Sequence, residues 1–476
     1  MRSPDEVAAR LRALQGHDLP IQGGRTLAYV YDSGLPDLEA VGRDAVAAFA
    51  GSNGLDPTAF PSLLTMENEL VGFACDLVDA PEAVGTVTSG GTESCLLAVQ
   101  AARDSRPDIE RPNLVMPDTG HAAFRKGGHY FGVQVRVVPT GDDFRADPAA
   151  MAAALDGDTV LVVVSAPSYA HGVVDPVTPV AAAAAARGVR CHVDACIGGW
   201  VLPYAARLGR DVPPWTFAIE GVTSISMDTH KYAYAPKGTS ILLHRSPQLR
   251  RPQYFSSADW PGYTMLNSTL QSTKSGGPLA GAWAVRETLG HEGYLALTRA
   301  TFEAVDAIVA GLTTISGVRL VVQPDSTLVT LGTDASCDPF TVCDEMSARG
   351  WYVQPQLSYA GSPANIHLTV QAGTRPHVEE LLTALAESVA AARAVGPVAV
   401  DPGVVAFIEA LDPAALSDED FDGLLAASGL VGQSADGGLA LPDRMAEINA
   451  MLDVAAPAMR EALLIAFLDR LSRPVR

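Results

Sequence analysis

Lysine is scarce in this chain of 476 residues. It occurs only at Lys126, Lys231, Lys237 and Lys274, so 29 of the 33 basic residues are arginine. A guanidinium stays protonated, whereas a lysine amine can lose its proton and act as a nucleophile. Each retained lysine is therefore a candidate for amine chemistry. Positive charge is short as a whole: 33 Lys and Arg face 54 Asp and Glu, a formal net charge of −21. That balance excludes general nucleic-acid binding, which needs clustered cations, and disfavours anionic membrane surfaces. Cysteines number six, at Cys75, Cys95, Cys191, Cys196, Cys337 and Cys343, scattered and without a CxxC. Neither a zinc site nor a disulfide framework is indicated, and no metal is expected. Long apolar runs are lacking too. Thr159 to Ala166 and Ala181 to Ala186 fall far short of a membrane span. The opening stretch MRSPDEVAARLRALQG has no apolar h-region, so a secretory signal is not expected. A cytoplasmic protein is the default. No repeat of solenoid period is visible.

What is present reads as a globular chain of more than one domain. The chain is 48% hydrophobic and 18% charged, and its length exceeds what one core usually supports. From about 68 to 250, short apolar runs such as NLVMP, TVLVVVSA and VRCHVDA alternate with helix-like stretches. That pattern predicts a mostly parallel sheet flanked by helices. We divide the chain into an N-terminal segment (1–70), a large domain (71–300), a small α+β domain (301–395) and an acidic helical extension (396–476). A long helix over about 279–312 joins large to small and should break near Gly290 or Gly293. In the extension, SDEDFDG is a solvated run or a helix start. The amphipathic PAMREALLIAFLDRLSR should dock on a partner surface.

Four places can carry chemistry. The turn TSGGTES, Thr88 to Ser94, precedes a helix. Gly90 and Gly91 allow close backbone approach, and free N–H groups at a helix start favour a phosphate. The plainer reading is an ordinary turn with Thr92 or Ser94 as N-cap. HVDACIGG places Asp194 at the end of a buried strand, where open parallel sheets bind ligands; an N-cap or structural ion pair is the alternative. SISMDTHKYAYAPKG holds His230 beside Lys231, with Lys237 following. A Lys near a phosphate turn and a carboxylate can form a Schiff base, although incidental surface lysines remain open. His121 follows a strand-like run and can stack on a flat ligand or be a satisfied loop residue. Ser168, Tyr169 and His171 lie beyond the strongest strand. Together the turn, the aromatic platform, the strand-end acid and the later lysine suit pyridoxal 5'-phosphate.

At these residues the chain resembles the group II decarboxylase superfamily of fold-type I pyridoxal-phosphate enzymes, and within it the sphingosine-1-phosphate lyases. The matching stretches are SNGLDPTAFPSLLTMENELV, GTVTSGGTESCLLA, SAPSYAHGVVDPV, HVDACIGGWVLP, SISMDTHKYAYAPKG and DWPG. The resemblance implies that residues 71–300 form the cofactor-binding domain. It implies Lys231 as the Schiff-base lysine, Asp194 as partner of the pyridinium nitrogen and His121 as the stacking ring. Gly91, Thr92, Ser168 and His230 would contact the cofactor. Ser272 and Thr273 would reach the phosphate from a neighbouring subunit of a homodimer with shared active sites. Tyr31, Asn53, Asp56, Tyr169 and Lys237 fall in the substrate region, with Tyr169 or Lys237 handling protons. Two positions depart from the lyase pattern: Asp56 stands where a His is usual, and Lys274 where an Arg is usual. The expected reaction is retro-aldol cleavage of a 2-amino-3-hydroxy substrate to an amine and an aldehyde. Amino-acid decarboxylation is the alternative, and a non-catalytic scaffold is a third reading.

Overall fold

The computed structural model describes residues 2–427, 432–433, 439–440, 444–472 and 474. The chain forms two compact units. One comprises Met1–Ala307, Val322–Val329 and Thr369–His377; the other comprises Ile308–Val321, Thr330–Leu368 and Val378–Arg476. Residues 1–70 thus belong to the first unit.

The first unit is built on seven strands: β1 (Val84–Thr88), β2 (Asn113–Pro117), β3 (Gln134–Val138), β4 (Thr159–Ser165), β5 (Arg190–Asp194), β6 (Val222–Met227) and β7 (Ser240–His244). Their order is β1-β7-β6-β5-β4-β2-β3. Only β7 runs against its neighbours. Every residue of β4 is buried, as expected of a strand covered on both faces. Helix α1 (Gly91–Asp104) covers the sheet with Cys95, Leu96, Val99 and Ala102, which pack on Leu114, Met116, Leu161 and Val163. Fully burying side chains of this kind contributes about 1.5–3 kcal/mol each. Helix α2 (Ala122–Phe131) adds Phe124 to the same cluster. Because the strands are parallel, the C-terminal ends of β1, β2, β4, β5 and β6 open on one edge. Register sets Ser165 beside Asp194 and Asp194 beside Ser226. The long helix α3 (Gly276–Leu312) breaks at Gly290, which adopts φ 53°. This is one of the two glycines expected to break it.

A four-stranded sheet comprises β8 (Val318–Leu320), β9 (Leu328–Thr333), β10 (Gln354–Gln356) and β11 (Asn365–Thr369), in the order β8-β9-β11-β10; all its residues but Leu328, Val329 and Thr369 belong to the second unit. Helices α4 (Pro339–Ala348) and α5 (Val378–Val395) pack together beside it. The extension begins with a helix over Pro402–Ala410, then α6 (Asp418–Ala427), an antiparallel pairing of Gly432–Gln433 with Leu439–Ala440, α7 (Ala446–Val454) and α8 (Pro457–Leu471). SDEDFDG is a helix start. Asp418, Glu419 and Asp420 lie in the first turn of α6, and the Asp420 amide donates to Ser417 Oγ at 3.1 Å. The last helix buries Met459 and Leu463 on Ile408, Phe421 and Leu424, so it docks within the extension itself. Leu464, Ile465 and Leu468 on α8 remain exposed. Among the described residues no helix is long and apolar enough to cross a membrane.

Candidate active site

The ends of the parallel strands enclose a cavity of about 320 Å³, lined among others by Gly90, Gly91, Thr92, His121, Tyr169, Asp194, His230 and Lys231. Its size suits a small-molecule site. Residues from Ser89 to Lys231 meet here because five strands end at one edge.

The floor near the helix comes from the TSGGTES turn. Helix α1 starts at Gly91, and Gly90 supplies no side-chain cap. The first N–H groups are therefore left for a ligand, and the helix dipole favours an anion there. Ser94 is not a cap: its hydroxyl lies 2.8 Å from Thr88 Oγ1 and 2.9 Å from Ser240 Oγ, deep in the core. Thr92 is exposed at the helix start. Gly91 cannot carry a side chain, because a Cβ would meet Asp228 Oδ2 at 2.6 Å and Cys196 Sγ at 2.9 Å. Glu93, which the sequence reading passed over, fixes the turn. Its carboxylate accepts from the Ser89 amide at 2.6 Å and from the Leu270 amide at 2.8 Å. A Glu at the third helical position is a familiar capping signal and was legible as one.

His121 caps α2, with Nδ1 accepting from the Ala123 amide at 3.1 Å. Asp194 is buried at the end of β5. Its Oδ1 accepts from the Cys196 amide at 3.1 Å and lies 3.3 Å from Ser226 Oγ. Lys231 follows β6. Its Nζ sits 2.9 Å from Oδ2 of buried Asp228, which is also 3.6 Å from His230 Nε2. Asp228 was missed as well, although it stands directly after a strand end, as the rule that located Asp194 requires. Burial opposes both charges, yet the pair wins: the Asp228 carboxyl lies below its ordinary pKa and Lys231 well above. Burial lowers His230 to about 4, so its ring is neutral near pH 7.

The remaining candidates are spread around this centre. Tyr31 packs edge-on to Tyr232 at 5.0 Å between ring centres, and its phenol interacts electrostatically with Lys231. Lys237 Nζ lies 4.8 Å from the centre of the Tyr31 ring and donates to Tyr29 O at 2.9 Å and His230 O at 3.2 Å. Although the Lys237 residue keeps solvent contact, burial of the amine and the neighbouring Lys231 charge lower it to about 8. Burial raises the Tyr169 phenol. Ser168 does not line the cavity, but its hydroxyl is buried without a hydrogen-bond partner. Asn53 and Asp56 are not brought to the cavity. The Asn53 side chain accepts from the Leu55 amide at 3.1 Å, and exposed Asp56 accepts from the Thr58 amide at 2.8 Å. Ser272 and Thr273 also lie outside it; Ser272 lines a second cavity with Lys274, whose Nζ donates to Val87 O at 3.0 Å.

The donor set fits pyridoxal phosphate. An uncapped helix start suits its phosphate, a buried carboxylate its ring nitrogen and a lysine amine its aldehyde, while the Ser168 hydroxyl is unpaired. A parallel-sheet edge bearing these groups defines a pyridoxal-phosphate enzyme of the α/β class. The chain belongs to the pyridoxal-dependent decarboxylase family: residues 28–332 match its conserved domain, and pyridoxal 5'-phosphate is its cofactor. Residues 402–470 match the putative C-terminal helix-turn-helix domain of pyridoxal-dependent enzymes. The chain is 37% identical over 359 residues to the sphingosine-1-phosphate lyase of Arabidopsis thaliana, covering 74% of this chain and 65% of that one. It is 35% identical over 395 residues to the sphingosine-1-phosphate lyase of Oryza sativa subsp. japonica, covering 81% and 72% respectively. The chain thus spans about two thirds of the length of these relatives. The structure of a sphingosine-1-phosphate lyase from Burkholderia pseudomallei K96243 superposes with a TM-score of 0.78 at 33% identity, covering 83% of this chain and 92% of that one.

Proposed function

We propose that the protein is a carbon–carbon lyase that splits a 2-amino-3-hydroxy substrate of the sphingosine-1-phosphate class into an amine and an aldehyde. Likeness to three lyases supports the class. The observation that carries the chemistry is the position of Lys237, an amine lowered to about 8 beside the Tyr31 ring and within the electrostatic influence of Lys231. Cleavage begins with loss of the proton on the 3-hydroxyl. Among the candidates, Lys237 is the group that can be neutral near pH 8 and accept it. Tyr31 and Tyr169 are raised by burial, stay as phenols and can only donate. The bound cofactor supplies an electron sink for the carbon left behind. In this reading Lys231 holds the cofactor's aldehyde carbon, Asp194 keeps the ring nitrogen protonated, His121 covers the ring, and Gly91, Thr92 and His230 line the phosphate end and ring, with buried Ser168 outside the cavity lining.

The family's decarboxylase domain favours a second reading, loss of CO₂ from an amino acid in the same cavity. Purified enzyme offered phosphorylated and plain amino alcohols beside amino acids should release aldehyde, and Lys231→Ala should release none. Carbon dioxide without aldehyde would replace the first reading by the second.

We also read the protein as a cytoplasmic homodimer. Ser272 and Thr273 stand away from their own chain's cavity, which supports a role at a partner's. All six cysteines are buried and unpaired, which suits a reducing compartment. Asn53 and Asp56 would meet substrate only across such an interface. The helix-turn-helix segment, with 12 acidic and 3 basic residues over 402–470, is read as a protein-facing module rather than one for nucleic acid.

A further inference from the structure

Asp228 lies between two positive ends. One is the N-terminus of α1, where a Cβ on Gly91 would touch its carboxylate oxygens at 2.6 and 2.7 Å. The other is the Lys231 ammonium, 2.9 Å from Oδ2. The carboxylate is 1% exposed. We propose that Asp228 is a positioning residue that keeps Lys231 protonated until a phosphate arrives at the start of α1, and then takes the proton that the lysine must lose. This rests on the reading of Lys231 as the cofactor's lysine.

The argument is electrostatic. Only a neutral amine adds to an aldehyde. Asp228 Oδ2 is the anionic oxygen within hydrogen-bond reach of Nζ, so it both stabilises the ammonium and is the nearest acceptor. An incoming phosphate dianion would occupy the same helix end and repel the carboxylate. That repulsion favours a protonated Asp228. The proton passes from Nζ to Oδ2, the ammonium becomes an amine and the carboxylate becomes a carboxylic acid. Other titratable groups face the lysine. Tyr31, Cys196 and Cys95 hold it protonated if they ionise, but burial keeps Tyr31 and Cys95 neutral, and the hydrogen bond with Cys95, then burial, keeps Cys196 neutral. Tyr169 also stays neutral, while His230 and Lys237 add no negative charge. Asp228 is thus the carboxylate that sets the state of the amine.

The test is competitive acetylation of the cofactor-free protein with acetic anhydride across pH 7–11, read at Lys231 by mass spectrometry. Asp228→Asn should lower the midpoint by about one pH unit or more, which is about a tenfold rise in Lys231 labelling at pH 8. Asp194→Asn removes a carboxylate from the same cavity without contact to Nζ and should move the midpoint far less. Circular dichroism and the thermal midpoint establish that each variant is folded. An unchanged midpoint in folded Asp228→Asn, or an equal shift in Asp194→Asn, overturns the proposal. Borohydride trapping of added pyridoxal phosphate then tests the underlying reading on its own. Trapping at another lysine would remove Lys231 from cofactor binding while leaving the Asp228 effect on its amine standing.

Discussion

The imidazole of His121 accepts a hydrogen bond through Nδ1 from the amide of Ala123 at 3.1 Å, so the ring is pinned to the first turn of its own helix. One side chain therefore both caps α2 and faces the cavity. The two roles separate by substitution. His121→Asn keeps a capping acceptor and loses the ring. His121→Phe keeps a flat face and loses the cap. Loss of the cap costs about 1 kcal/mol, and loss of the ring about 0.5–1.5 kcal/mol of cofactor binding. Cofactor titration should show several-fold weaker binding in His121→Asn, and thermal melting of the cofactor-free protein should show lower stability in His121→Phe. Identical behaviour of the two variants would refute the division of roles.

Gly91 is a second position where shape and charge meet. Alanine there would drive a methyl group into Asp228 Oδ2 and Cys196 Sγ. Overpacking of this kind costs about 1–3 kcal/mol. The carboxylate must swing away from Lys231, so cofactor affinity and the melting temperature should fall together. Gly91→Ala with wild-type affinity would show that the turn relaxes freely.

Much of this was legible before folding. TVLVVVS and RCHVD read as strands because both faces are covered, and they end at the cavity. The break at Gly290 was readable from the glycine pair alone. Other features depend on distant parts of the chain. Strand β7 pairs antiparallel with β1 and β6, an order that no local pattern in SILLH announces. Tyr31 reaches Lys231 across 200 positions of sequence, and resemblance rather than spacing pointed to it. Asp228 was readable in principle, since a strand end followed by an acid and a lysine three residues on is a short-range signal. Asn53, Asp56, Ser272 and Thr273 show the opposite case. Their motifs are clear, but their own chain does not place them in the cavity.

Lys237 sets the expected pH dependence. Its amine is lowered to about 8, chiefly by burial and then by Lys231. A proton acceptor works only when neutral, so aldehyde release should rise with pH through a midpoint near 8 and level off above it. His230, at about 4, adds no limb in that window. Lys237→Gln should remove the limb and lower the rate by a factor of about 10²–10⁴. The measurement is the maximal rate between pH 6 and 10. A limb that persists unchanged in Lys237→Gln would assign the proton to another group.

The extension is anchored by a second carboxylate contact. Asp344 in α4 accepts hydrogen bonds from the amides of Met445 and Ala446, each at 2.9 Å, and so caps α7. Beside it, Phe340 packs with Ala446 and Ala450, and Arg444 pairs with Glu345. All of these residues lie in the second unit, whereas Lys231, Asp194 and His121 lie in the first. Asp344→Ala removes the cap, at a cost of about 1 kcal/mol. Ala450→Asp places an unpaired charge among Phe340 and Ala446, where burial without a partner costs far more. Hydrogen exchange of residues 446–471 should therefore quicken modestly in Asp344→Ala and strongly in Ala450→Asp. The visible absorbance of bound cofactor should stay unchanged in both, because no group that holds it is touched. Loss of cofactor from Ala450→Asp in step with faster exchange would show instead that the extension supports the site.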